Sequence, residues 1–281
     1  MYNLRYHLAS LVAVFMALAL GLVLGGLVVG QGAFDAQQRA IVSGLQRDFT
    51  RLNGENRRIT AEVDVQRDFS AQLTDAWVQN RLTGRVVAVL TSGEKNEGLQ
   101  SAITAIEDAG GTAAVVTLEK PGMGLDDEKI AAAARSVVGS STDLSGPVAA
   151  ALTAEWTRVG VDRPLTDALS EAGAITVTGL PSSEAATQTI DIAAFSGKPD
   201  KMALMVAGAY AALGYRAVGA QTTNSGNSVA ASAAAAKLSA FDTLGTAPGQ
   251  FTLVALFSGG RQGYYTLGND DGPLFPPMPQ P

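Results

Sequence analysis

The stretch RVVAVLTSG, Arg85 to Gly93, decides how the rest of this chain reads. The apolar residues Val86 to Leu90 followed by Thr91-Ser92-Gly93 describe a buried strand running into a turn. The same rhythm continues downstream. A helix from about Asn96 to Ala109 ends at Gly110-Gly111, Thr112 to Leu118 is the next strand, and Asp126 to Val138 the next helix. Helical pieces at about Gly146 to Val159 and Leu165 to Ala172 lead to a strand at Ala174 to Thr178. Ile190 to Phe195, a helix at Lys201 to Leu213 and a strand at Tyr215 to Ala220 follow, and Leu244 to Phe257 reads as a helix begun after Pro248. Strands alternating with helices at this spacing make an α/β domain over residues 85–267, with a mainly parallel sheet flanked by helices. Beyond it, residues 268–281 form a proline-rich tail that is disordered or extended.

Upstream of Arg85 the composition changes. Residues 34–82 are rich in Gln, Arg, Asp, Glu and Asn, contain no proline and carry single apolar residues at regular intervals. Val42, Leu45, Phe49, Leu52, Asn56, Ile59 and Val63 are separated alternately by three and four residues, the a/d seam of a heptad repeat. The register continues through Gln66, Ser70, Leu73 and Trp77. So narrow a seam on so polar a helix is stable only against another helix, and this predicts a coiled-coil stalk. The alternative is a helix folded back on its own domain. Asn56 occupies an a position, where a buried amide fixes register and oligomeric state. Gly44 and Gly54 weaken the helix by about 1 kcal/mol each relative to alanine. Val or Phe at a with Leu or Ile at d leaves a dimer and a mixed tetramer both open.

Further upstream, HLASLVAVFMALALGLVLGGLVVGQ begins at His7, and the 23 residues from Leu8 to Gly30 carry no charge. At about 1.5 Å per residue such a helix crosses a hydrocarbon core of about 30 Å. A cleaved signal has a shorter apolar region and a small-residue cleavage site, for which Val28-Val29-Gly30 is a poor match, so residues 8–30 are expected to be an uncleaved transmembrane helix. Arg5 and the amino terminus precede the span and the first basic residue after it is Arg39, which places residues 1–7 in the cytoplasm and the rest outside. Ala17, Gly21 and Gly25 form a small-xxx-small stripe suited to helix packing, although glycine is common in membrane helices anyway.

Net charge is -6 with basic residues scattered, which argues against nucleic acid as a partner. There is no cysteine, and the only histidine is His7. The exported part therefore lacks the common zinc ligands, histidine general bases and the Ser-His-Asp triad, and no catalytic site, resident metal or cofactor is expected. Asp126-Asp127-Glu128 reads as a helix start rather than a site. Asp270-Asp271-Gly272 lacks the remaining oxygens of a calcium loop. Thr222 to Ser228, a polar loop between a strand and an alanine-rich stretch, lacks the spacing of a phosphate-binding loop. Met202 and Met205, three apart on a helix, could converge on one ion, but an apolar face explains them more simply.

LRYHLASLVAVFMALALGLVLG, the polar stalk behind it, and AFDTLGTAPGQFTLVALFSGGRQGYYTLG, Ala240 to Gly268, together resemble the actinobacterial family of the copper transporter MctB, which also includes the cell-separation protein SteB. The resemblance implies two roles. A SteB-like chain works with a membrane partner similar to SteA and acts on a peptidoglycan hydrolase during cell separation. An MctB-like chain serves copper homeostasis or efflux at the outer envelope. Copper(I) prefers thiolate and thioether ligands, and the exported part offers only Met123, Met202, Met205 and Met278. A single membrane helix encloses no pore. The expectation is therefore a single-pass plasma-membrane adaptor, assembling with itself or with a SteA-like protein.

Overall fold

The computed structural model describes residues 4–29, 33–92, 97–192, 194–195, 198–223, 229–266 and 273–277. The chain divides into two units, Met1–Gln66 and Arg67–Pro281. In the first, α1 (Leu4–Val29) holds the apolar stretch, and Arg5–Leu27 within it is long and apolar enough to cross a membrane. α2 (Ala33–Val78) is one helix through Gly44 and Gly54, and from Arg67 onward it belongs to the second unit.

The second unit is built on β1 (Val86–Ser92), α3 (Glu97–Asp108), β2 (Thr112–Leu118), a 3-10 turn at Pro121–Gly124, α4 (Glu128–Val138), α5 (Ser145–Trp156), α6 (Pro164–Ala172) and β3 (Ile175–Thr178). It continues through β4 (Ala186–Asp191), the two-residue strands β5 (Ala194–Phe195) and β6 (Lys198–Pro199), α7 (Lys201–Ala212) and β7 (Arg216–Thr222). α8 (Val229–Ala235), β8 (Ser239–Leu244), α9 (Ala247–Phe257) and β9 (Tyr264–Tyr265) complete it. The main sheet has seven strands in the order β3-β2-β1-β4-β7-β8-β9, paired in parallel apart from β2 with β3.

β1 is buried along its whole length because helices cover both faces. Val86, Ala88 and Leu90 point into a core with α4, α5, α6 and α7, centred on Trp156, Leu152 and Val206. Val87 and Val89 point the other way, into a core closed by α3, α9 and the end of α2 through Ile106, Phe241, Phe257 and Val78. The caps hold the helices to the sheet. Asp200 accepts the amides of Met202 at 2.8 Å and Ala203 at 3.1 Å to start α7, and that of Gly122 at 2.7 Å to fix the 3-10 turn. Glu155 accepts the amides of Leu165 and Thr166 at the start of α6, and the Trp156 indole N–H donates to the Thr166 hydroxyl at 3.0 Å.

Several expectations shift in detail. The central strand placed at Ile190–Phe195 is β4, Ala186–Asp191, four residues earlier. Its polar residues are accommodated because Gln188 donates to the Phe257 carbonyl at 2.9 Å and Thr189 to the Ala88 carbonyl at 3.1 Å. The segment expected to be helical from Leu244 starts at Ala247 instead, and β8 before it and β9 after it were not anticipated. Within the tail, Pro276 is buried and the Phe275 ring meets Phe251 edge-on at 6.2 Å, so this part is docked.

Tyr210 is wholly buried between α7 and the first core, its hydroxyl has no hydrogen-bond partner among the described residues, and burial pushes its pKa well above the usual tyrosine range. A raised folded-state value stabilises the fold below the unfolded tyrosine pKa of about 10 and is lost above it, where the unfolded chain releases the proton. Tyr210→Phe is therefore expected to leave stability at pH 7 unchanged or slightly raised, and to reduce the fall in urea midpoint between pH 8 and pH 11. An equally steep alkaline fall in the variant removes Tyr210 as its source.

Candidate assembly surface

In an amphipathic helix the apolar stripe is normally covered, and along the first unit's part of α2 it is not. Val42 is 50% exposed, Leu45 64%, Phe49 68%, Leu52 52%, Ile59 50% and Val63 45%, and Asn56 on the same stripe is exposed. The polar faces are locally satisfied by contrast. Arg58 pairs with Glu62 at 3.0 Å, Arg51 with Asp48 at 3.7 Å, and the Thr50 hydroxyl donates to the Gln46 carbonyl at 2.8 Å. These exposed ion pairs add little, in the range of about 0.3–0.5 kcal/mol for helical neighbours. The apolar stripe is worth far more if covered, since fully burying each aliphatic or aromatic side chain gains about 1.5–3 kcal/mol. On α1, Ala17 is exposed and a Cβ added at Gly21 or Gly25 would meet nothing within 4 Å, so the small-residue stripe is equally open.

The end of α2 has a different fate, on the face beside the seam, whose own Leu73 is still 55% exposed. Thr74, Val78 and Leu82 are buried in the second unit, and the Thr74 hydroxyl donates to the Ala247 carbonyl at 3.4 Å. Trp77 packs on Phe251 with ring centroids 4.5 Å apart, with Arg81 over its ring at 4.7 Å. Ser70, Leu73 and Trp77 line an apolar groove of about 190 Å³ with Pro248, Phe251 and Phe275. The end of α2 thus packs on the second unit through Thr74 and Val78, while the stripe from Val42 to Val63 stays exposed. Beside this groove, Gln100, Ser101, Thr104 and Asp108 of α3 face Thr246 and Gln250 across a cleft of about 300 Å³ that Ala71, Ala105 and Leu244 also line.

Sequence reasoning passed over one further place. The strand order reverses direction between β1 and β4, the position at which open α/β sheets take ligands. Thr91, Ser92 and Asp191 lie buried at the carboxyl ends of these two strands. The signal was the polar run ATQTID ending β4, which a search for apolar strands discards. Hydroxyls and a carboxylate are hard oxygen ligands, chemistry suited to amines, hydroxyls or hard cations rather than to copper(I).

Along nearly its whole length, over residues 1–276, the chain matches the family model described as copper transport outer membrane protein, MctB. It belongs to the MctB family. No curated relative matches it. Family membership sets the surface beside a question of metal chemistry. Met123 and Met202 are buried in the first core and Met205 packs against it, which gives the methionine pair its apolar role. Asp127 caps α4 by accepting the Lys129 amide, and hydrogen bonds from Lys120 and Lys129 hold its carboxyl below the usual range. Among the described residues no group of three or more histidine, cysteine, aspartate or glutamate side chains could hold a metal ion. Asp270-Asp271-Gly272, Met278 and residues 224–228 of the polar loop lie outside the described residues.

Proposed function

We propose that this MctB-family chain is a single-pass plasma-membrane adaptor, amino terminus in the cytoplasm, that assembles through its stalk and presents the α/β domain to the cell envelope, where it regulates peptidoglycan hydrolysis in cell separation. The observation that carries the reading is the uncovered heptad seam from Val42 to Val63, directly behind a candidate membrane span. A surface of this kind has binding as its chemistry, so the chain acts on other proteins rather than on a substrate. Its partners are a like chain, a SteA-like membrane protein or both, and through them a peptidoglycan hydrolase. The cell-wall role follows from the resemblance to SteB. The test is the double replacement Leu52→Lys, Ile59→Lys, read by association in the membrane and by separation of daughter cells. Lost association with normal separation removes the cell-wall role, and unchanged association removes the adaptor reading itself.

The family's description supports a second reading, a part in copper homeostasis or efflux at the envelope. Met123 and Met202 buried in the core, Met205 packed against it, and hard oxygens at the ends of β1 and β4 make direct copper(I) capture by the exported domain chemically unfavourable. Titration of the full-length protein with copper(I) is expected to show no binding tighter than about micromolar, equivalent to about -8 kcal/mol. Tighter binding would return the weight to the copper role.

A further inference from the structure

Resting on the assembly reading above, we infer that the occupant of the seam is a second copy of this chain, running parallel and in register, with Asn56 of each copy facing the other. The charge pattern beside the seam selects this arrangement. With Val42, Phe49, Asn56 and Val63 at a and Leu45, Leu52 and Ile59 at d, the flanking g positions are Asp48, Glu55 and Glu62, and the e positions Gln46, Asn53, Thr60 and Arg67. All of these flanking residues are exposed.

In a parallel, in-register pair each g residue meets the e residue five positions later on the other helix. Asp48 then faces Asn53 of the second copy, Glu55 faces Thr60, and Glu62 faces Arg67. No like charges meet, and the last contact joins opposite charges. In an antiparallel pair g faces g, which sets Asp48 against Glu62 and Glu55 against Glu55, three carboxylate contacts of the kind that bar a pairing. The core of the seam selects the same arrangement. In register, Asn56 meets Asn56 and two amides hydrogen-bond, whereas antiparallel pairing sets Asn56 against Leu52 and leaves a buried amide unpartnered. The lone a-position amide, which pairs with its own copy only in register, fixes that alignment. Two chains anchored by their amino-terminal helices in one membrane are held in this same orientation.

Because the chain has no cysteine, single replacements report unambiguously. In membranes containing the full-length protein, Leu45→Cys, Leu52→Cys and Ile59→Cys are each expected to form a disulfide with their own copy on mild oxidation, and Ala61→Cys, on the opposite face, to form none. Differently tagged Leu45→Cys and Val63→Cys chains, about 27 Å apart along parallel helices, are expected not to join. A disulfide between them means antiparallel pairing and overturns the inference. Self-capture at none of the seam positions, with crosslinks to an unlike protein, overturns the second copy while leaving the adaptor reading standing; no capture of any kind removes both. In an Asn56→Leu background, Leu45→Cys and Leu52→Cys chains begin to join one heptad out of register. Their failure to do so overturns the role given to Asn56.

Discussion

Full-length protein carrying Leu52→Lys and Ile59→Lys loses self-association in the membrane while its α/β domain stays folded. Both residues are d-position knobs, about half exposed in the single chain, and in a two-stranded stalk the double change removes four of them. At the lower figure of about 1.5 kcal/mol per side chain the loss is about 6 kcal/mol, more than four decades of affinity at about 1.4 kcal/mol per decade. Lysine is a good helix former, so α2 persists, and the domain beyond Arg67 has its own two cores. Crosslinking in membranes measures the first part and the urea midpoint of the domain the second. Association within tenfold of the unchanged protein would mean that the seam is not the contact, and a shifted domain midpoint would mean that the variant acts by unfolding.

The apolar repeat from Val42 to Val63 was legible because a heptad is a one-dimensional signal, and in the single chain its residues are about half exposed. Most of the sheet was legible for a related reason. β1 is buried on both faces and β2 on one, so their apolar runs stand out locally, and Thr112–Leu118 has the anticipated bounds. β4 was misplaced because its Gln188 and Thr189 are satisfied by partners 69 and 101 residues away, which no local window contains. β8 was left without an element because Asp242 and Thr243 break its apolar run, and its last residue, Leu244, was read with the helix that follows. The groove escaped for the same reason, since Trp77, Phe251 and Phe275 come from three separate parts of the chain. Local pattern thus revealed the exposed apolar stripe of α2, and long-range pairing hid the domain's own crevices.

Gly249→Ala lowers the stability of the α/β domain by about 3 kcal/mol, overpacking at the upper end of its usual cost. A Cβ at Gly249 would stand 2.0 Å from the Thr243 carbonyl oxygen and 2.5 Å from its carbon, and both are backbone atoms. The carbonyl cannot retreat, because it also accepts the Thr246 hydroxyl at 2.7 Å and the Thr246 amide at 3.1 Å in the turn that starts α9. The same turn holds the Gly249 amide to the Thr246 hydroxyl at 3.1 Å, so a shift of the helix start also breaks the cap. What moves instead is α9, whose Leu253, Val254, Leu256 and Phe257 are fully buried, and with it the Phe257 carbonyl that anchors both Arg85 and Gln188. For a domain of this size the melting temperature should fall by roughly 10 °C. The contrasting substitution is Gly54→Ala in the stalk, where a Cβ meets nothing within 4 Å and alanine favours the helix by about 1 kcal/mol. One added methyl group is thus expected to destabilise the domain and to strengthen the stalk, and calorimetry of the two variants distinguishes this from a general intolerance of the chain to substitution at glycine.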